Sequence, residues 1–217
     1  MLQDFDRIED ANIGTGLLTR NEHIGQYKTR VCLSWLEARG FRTKVCERKF
    51  DETTRREDDE PSIAFCGFDK PEPRRLLEGA NFKRVIECGL GGSINDFDCI
   101  HLHLFPGRRP ASEIWKNTAV APGEQSHARV AQALSNPGET CGALAIETAG
   151  KAVSTSFVGA MASAVAFGEI LRAFHGGQRH DEIYLSVRNF IDADFRATPT
   201  PYNLSAIARL GYCDVKG

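Results

Sequence analysis

The feature that most constrains this chain is its opening stretch, Leu2 to Lys28, which reads L-Q-D-F-D-R-I-E-D-A-N-I-G-T-G-L-L-T-R-N-E-H-I-G-Q-Y-K. An apolar residue running into Asp-x-Asp and then a glycine-rich loop describes the carboxyl end of a strand in a nucleotide-binding α/β fold, where a carboxylate accepts the ribose hydroxyls. Asp4 is the candidate for that carboxylate. Asn12 and Lys28 come from the loop and the start of the next helix, so an amide and an ammonium are available to the phosphates of a nucleotide held by Asp4.

The rest of the chain alternates short apolar runs with helical stretches. T-R-V-C-L-S-W-L-E-A-R-G puts Val31, Trp35 and Ala38 near helical spacing, with Gly40 as the stop. Phe41 to Phe50 alternates imperfectly and reads as a strand near a sheet edge. Residues 51–60 are charged without apolar period and read as a solvated loop. In S-I-A-F-C-G-F-D-K-P-E-P-R-R an apolar run stops at Gly67 and turns through Asp69 into a helix opened by proline, so Asp69 either caps that helix or serves a site at the strand's carboxyl end. K-R-V-I-E-C-G-L-G-G is a further strand into a glycine cluster. It lacks the third glycine of G-x-G-x-x-G and runs on to another strand, C-I-H-L-H-L-F, so it is not a phosphate loop.

In that next strand His101 and His103 share one face, opposite Ile100, Leu102 and Leu104. Two histidines at this spacing can bind metal, but no third ligand lies nearby in the sequence, and they are read as structural or solvent-facing. Residues 106–140 are rich in Pro, Gly, Ser and Asn and read as a mobile crossover with short helical pieces at 112–116 and 126–134. Beyond E-T-C-G the stretch F-V-G-A-M-A-S-A-V-A-F-G-E-I-L-R-A-F-H-G-G is a helix apolar nearly all round. Glu169 and Arg172 interrupt it, so it is not expected to span a membrane. E-I-Y-L-S-V-R reads as a strand and Asn203 to Leu210 as a short terminal helix.

With 217 residues, 41% hydrophobic and 26% charged, the chain has the composition of one soluble domain. A net charge of −2 and a pI near 6.3 give no global attraction to nucleic acid or to an anionic membrane. The seven cysteines form no C-x-x-C pair and follow no secretory segment, which points to a reduced, cytoplasmic setting and away from a structural zinc.

The opening stretch resembles the ThiF/MoeB/HesA group, the adenylating domains related to ubiquitin-activating enzymes. Their pattern is roughly D-x-D-x-V-x-x-S-N-L-x-R-Q, about ten residues, then G-x-x-K; Asp4, Asp6, Asn12, Gly25 and Lys28 fall on it in order. The family's Arg after Asn-Leu lands on Thr15. The family also carries a strand, a G-x-G-x-x-G turn and a helix upstream, and Met1 begins inside the second strand, so the resemblance implies an N-terminally truncated, Rossmann-like α/β domain over residues 1–217 with a mostly parallel sheet flanked by helices. Further along, Val158-Gly159, Glu169-Ile170-Leu171-Arg172 and Gly176 match the family's small-residue helix.

The resemblance implies ATP-dependent adenylation of the C-terminal carboxylate of a ubiquitin-like or sulfur-carrier protein. It assigns Asp4 to the ribose, Asp6, Asn12 and Lys28 to the nucleotide, Asp69 to magnesium and Arg74 to the phosphates. Cys141 falls where many members keep the cysteine that takes the activated acyl group; as a lone residue it reads first as core, and its place in a Gly-rich loop beside Thr140 and Gly142 makes the two readings even. Pairing as a homo- or heterodimer is implied too. A degenerate member acting as a scaffold is the alternative, and an unrelated dinucleotide-dependent oxidoreductase is weaker, since the Asn-to-Lys loop has no role in hydride transfer.

Overall fold

The computed structural model describes residues 1–91, 97–116, 156–188 and 193–197. Strand β1 (Leu2–Gln3) leads through a long loop into helix α1 (Lys28–Glu37), and β2 (Val45–Cys46) returns parallel to β1, with Leu2 opposite Val45. The predicted helix is present, and Gly40, at φ +83°, takes the left-handed turn beyond its end. The strand expected over 41–50 is reduced to two residues at the edge of this small sheet.

A second sheet has five strands in the order β3-β4-β5-β6-β7: β3 (Ile63–Cys66), β4 (Arg84–Leu90), β5 (Cys99–Phe105), β6 (His180–Ser186) and β7 (Asp194–Ala197). β3 and β4 are parallel and joined through α2 (Pro71–Arg74) and a 3-10 turn (Leu77–Ala80). From β4 onward every pairing is antiparallel. The α/β class expected from the sequence is observed, but the sheet is mixed rather than mostly parallel. The connection between β4 and β5 spans only residues 91–98, and a parallel return needs about a dozen residues or more. β1 pairs only with β2, and β3 only with β4 among the described residues, so each presents an open edge.

Helix α4 (Ser156–Phe174) covers one face of the larger sheet. Val158, Ala162 and Ala166 repeat every fourth residue and lie against Ile86, Ile100, Leu102, Leu104, Ile183 and Leu185. The alanines let the helix approach closely. α4 is long and apolar enough to cross a membrane by length and composition, so Glu169 and Arg172 do not interrupt it as expected. They serve the fold instead: Glu169, 3% exposed, accepts from His180 at 2.9 Å and from Arg172 at 3.0 Å. On the opposite face of the sheet, Leu77, Val85, Phe105, Ala111 and Trp115 form a second core under α2 and the short helix α3 (Ala111–Ile114).

Cys88 packs partly buried against the first core and Cys66 against the second. Burial, with the negative charge of Glu87 adding to it, pushes the Cys66 thiol up to about 12 and that of Cys88 to about 11. Against a usual value of 9.0, that lowers the Cys66 thiolate fraction at neutral pH roughly a thousandfold. Alkylation of the folded protein at pH 8, followed by mass spectrometry, should leave both unmodified until denaturant is added; labelling of Cys66 as fast as a free thiol would contradict this packing.

Candidate adenylation site and a histidine cluster

Asp4 directly follows β1, as the sequence implied, and its Oδ1 accepts the backbone N–H of Asp6 at 2.9 Å. Asp6 in turn meets Lys28 at 3.0 Å, side chain to side chain, while the Lys28 backbone N–H donates to the Asp6 carbonyl. The loop between them closes at its base: Arg7 bridges to Tyr27, stacks over its ring at 3.8 Å and donates to the Gly25 carbonyl. Gly25 sits at φ +85°, a conformation that a side chain would strain.

Asp4, Asp6, Gly25 and Lys28 are thus brought together. Asn12 has a different local task, because its Oδ1 accepts the Glu9 backbone N–H at 2.9 Å and its carbonyl gathers Thr15, Gly16 and Thr19. Thr15, standing where the family pattern has Arg, donates to the Ala11 and Asn12 carbonyls and brings no charge.

Asp69 lies three residues beyond β3, exposed, and makes no hydrogen bond or ion pair among the described residues. It does not cap α2, whose N-cap is Lys70. Arg74, assigned to phosphates from the sequence, is engaged elsewhere: it donates to the Phe68 carbonyl and lies 2.9 Å from Glu87 in an off-line ion pair held by charge rather than by an aligned hydrogen bond. Arg74 therefore fastens the turn that presents Asp69 to the sheet. Cys141, residues 92–96, 117–155 and 189–192, and the tail from 198 lie outside the described residues, and with them the crossover beyond residue 116 and the terminal helix expected at 203–210.

The expectation that the β5 histidines lack a third ligand is overturned. In register, His103 lies opposite Glu87 on β4 and opposite Glu182 on β6. His103 Nδ1 meets Glu87 at 3.1 Å, and His101 Nε2 meets Glu182 at 3.0 Å. Arg196 on β7 holds the other oxygen of Glu182 at 2.9 Å. Burial, with His103 beside it, holds His101 below the usual imidazole range despite Glu182. Burial raises Glu182, but its histidine and arginine neighbours outweigh that and keep its carboxyl low. Glu87, Glu182 and Arg196 escaped notice because strand pairing, not sequence proximity, brings them here. A charged residue inside the apolar run V-I-E-C-G was the available signal, since an unpaired carboxylate is almost never buried.

Residues 1–177 match the family model described as BilD C-terminal domain. Among curated proteins, the Bacterial E1-like protein BilD of Collimonas sp. (strain OK412) is 37% identical over 203 residues, covering 93% of this chain and 44% of that protein. The chain therefore spans less than half the length of this relative. Among solved structures, Escherichia coli MccB with MccA-N7isoASN superposes at a TM-score of 0.56 with 16% identity, over 93% of this chain and 57% of that one. MccB with ATP gives 0.53 at 16% identity, over 93% and 56%. These structures share the fold. The wider E1-like relationship read from the sequence stands, while nothing in the matches singles out the ThiF/MoeB/HesA branch. On the match across residues 1–177, the chain belongs to the BilD C-terminal domain family.

Proposed function

We propose that this chain is the adenylating part of an E1-like protein, which uses ATP and magnesium to activate the C-terminal carboxylate of a ubiquitin-like or sulfur-carrier protein. The observation that carries the reading is that Asp4 and Asp69 follow the carboxyl ends of β1 and β3, each a parallel-paired strand with an open edge, in a chain of the BilD family. A further parallel strand would complete either edge.

In this reading the carrier carboxylate oxygen bonds to the α-phosphorus of ATP and the bond to the β-phosphate oxygen breaks, releasing pyrophosphate. The step asks for positioning and charge stabilisation more than for proton transfer. Asp4 holds the ribose. Lys28, paired with Asp6 at the mouth of the loop, supplies positive charge toward phosphate, and Asn12 shapes the loop. An exposed carboxylate without a partner suits magnesium, which takes one or two carboxylates and completes its shell with phosphate oxygens and water; Asp69 fits that description. Bound there, the ion neutralises charge on the phosphates. Arg74 positions the Asp69 turn. Cys141 is proposed to attack the acyl carbon of the adenylate as its thiolate, so that the thioester forms as the bond to the phosphate oxygen breaks and AMP leaves.

A scaffold without catalysis is the second reading, favoured by Thr15 in place of the pattern's Arg. The deciding experiment is ATP–pyrophosphate exchange by the full-length protein with its carrier. Exchange that requires both magnesium and an intact carrier terminus supports the enzyme, and its absence establishes the scaffold.

A further inference from the structure

The face of the larger sheet away from α4 is apolar at one end and polar at the other, and the change occurs along β5. Phe105 belongs to the second core, whereas His103, two residues earlier, lines a cleft of about 260 Å³ and His101, four residues earlier, lines a second of about 190 Å³, the two clefts sharing Glu182 and Arg196. Three potential ligand atoms converge there. His101 Nε2 is 3.0 Å and His103 Nε2 3.7 Å from Glu182 Oε1, and all three atoms lie within 4.8 Å of one another. Ligands about 2.0–2.2 Å from a tetrahedral zinc lie roughly 3.3–3.5 Å apart, so small side-chain adjustments suffice to seat an ion.

From this geometry we infer that His101, His103 and Glu182 form a binding site for a zinc-class divalent cation, with its fourth position open to the cleft. The surroundings are those of a supported site. The Glu87 carboxylate, fully buried, accepts from His103 Nδ1 and so fixes the tautomer that leaves Nε2 with its lone pair. Arg196 holds Glu182 Oε2 and leaves Oε1 to face the histidines. Arg74 on Glu87 completes the support on the β4 side. Two imidazoles and one carboxylate suit zinc, whereas magnesium asks for oxygen ligands throughout, so this site is distinct in chemistry and residues from the one proposed at Asp69.

Arg109, 3.5 Å from Glu182 Oε1, is the group a cation displaces. The same cleft is lined by Arg108 and Arg196, so the fourth ligand is expected to be anionic, a hydroxide or a carboxylate, drawn in by the guanidinium groups.

The test is titration of chelator-treated, purified protein with zinc by calorimetry, and with cobalt as a spectroscopic probe. One equivalent should bind, and cobalt should give visible d–d bands without a thiolate charge-transfer band. His101→Ala and Glu182→Gln should each weaken binding about a hundredfold or more, the upper end of what loss of a supporting group alone costs. His175→Ala, at the exposed end of α4, should leave binding unchanged. His101 is partly exposed, so its variant is expected to fold, and a metal-free melting curve matching the wild type verifies that. Absence of stoichiometric binding, retention of affinity by folded His101→Ala, or a thiolate band, which would place the ion on cysteines, would each overturn the site.

Discussion

Asp69→Ala in the full-length protein is expected to reduce magnesium-dependent pyrophosphate exchange by about three orders of magnitude or more, because in the role proposed for Asp69 the lost carboxylate leaves several kcal/mol of phosphate charge uncompensated. The fold should survive. Asp69 is exposed and makes no hydrogen bond or ion pair among the described residues, so melting temperature should hardly move. Cys141→Ala separates the two chemical steps: exchange stays near wild type, because the thiol acts after the adenylate has formed, while a thiol-sensitive adduct with the carrier disappears. Exchange that survives Asp69→Ala would remove that residue from the site, and an adduct that survives Cys141→Ala would move the acyl acceptor to another cysteine.

The largest effect on stability is expected at Glu87. Its carboxylate is completely buried between Arg74 and His103, and no compensating water or solvent path is needed while both partners are present. Glu87→Ala removes the shared anion and leaves the Arg74 charge and the His103 N–H facing a cavity, a change that costs about 3–5 kcal/mol. For a domain of this size that corresponds to a fall in melting temperature of roughly 6–20 °C. Glu87→Gln should be milder, since the amide oxygen still accepts from His103 and only the charge opposite Arg74 is lost. Denaturant melts decide the matter: an alanine variant within about 0.5 kcal/mol of wild type, the range of an ordinary surface change, would show that the pair is not the anchor of the sheet.

The sequence alone determined the elements that rest on local pattern. α1 with its glycine stop, the long α4, the strands at 63–66, 84–90, 99–105 and 180–186, and the division of β5 into an apolar and a histidine face all follow from periodicities of 3.6 and 2 and from turn chemistry. It also placed Asp4 and Asp69 at strand ends and put Asp6 and Lys28 on one loop pattern, while their ion pair is seen only in the structure. What tertiary structure decided was everything that depends on which strand lies beside which. A short β4–β5 connection turned the sheet antiparallel, β7 appeared without a sequence signal, and Glu169 became the buried partner of His180. Pairing of β4, β5 and β6 set Glu87 and Glu182 on either side of His103, although 16 residues separate it from the first, and β6 joins the sheet only after the whole crossover and α4. Hydrogen bonds between strands act at any sequence separation, whereas composition and spacing report only on neighbours along the chain. For that reason the loop from Asp4 to Lys28 was legible in the sequence and the histidine cluster was not.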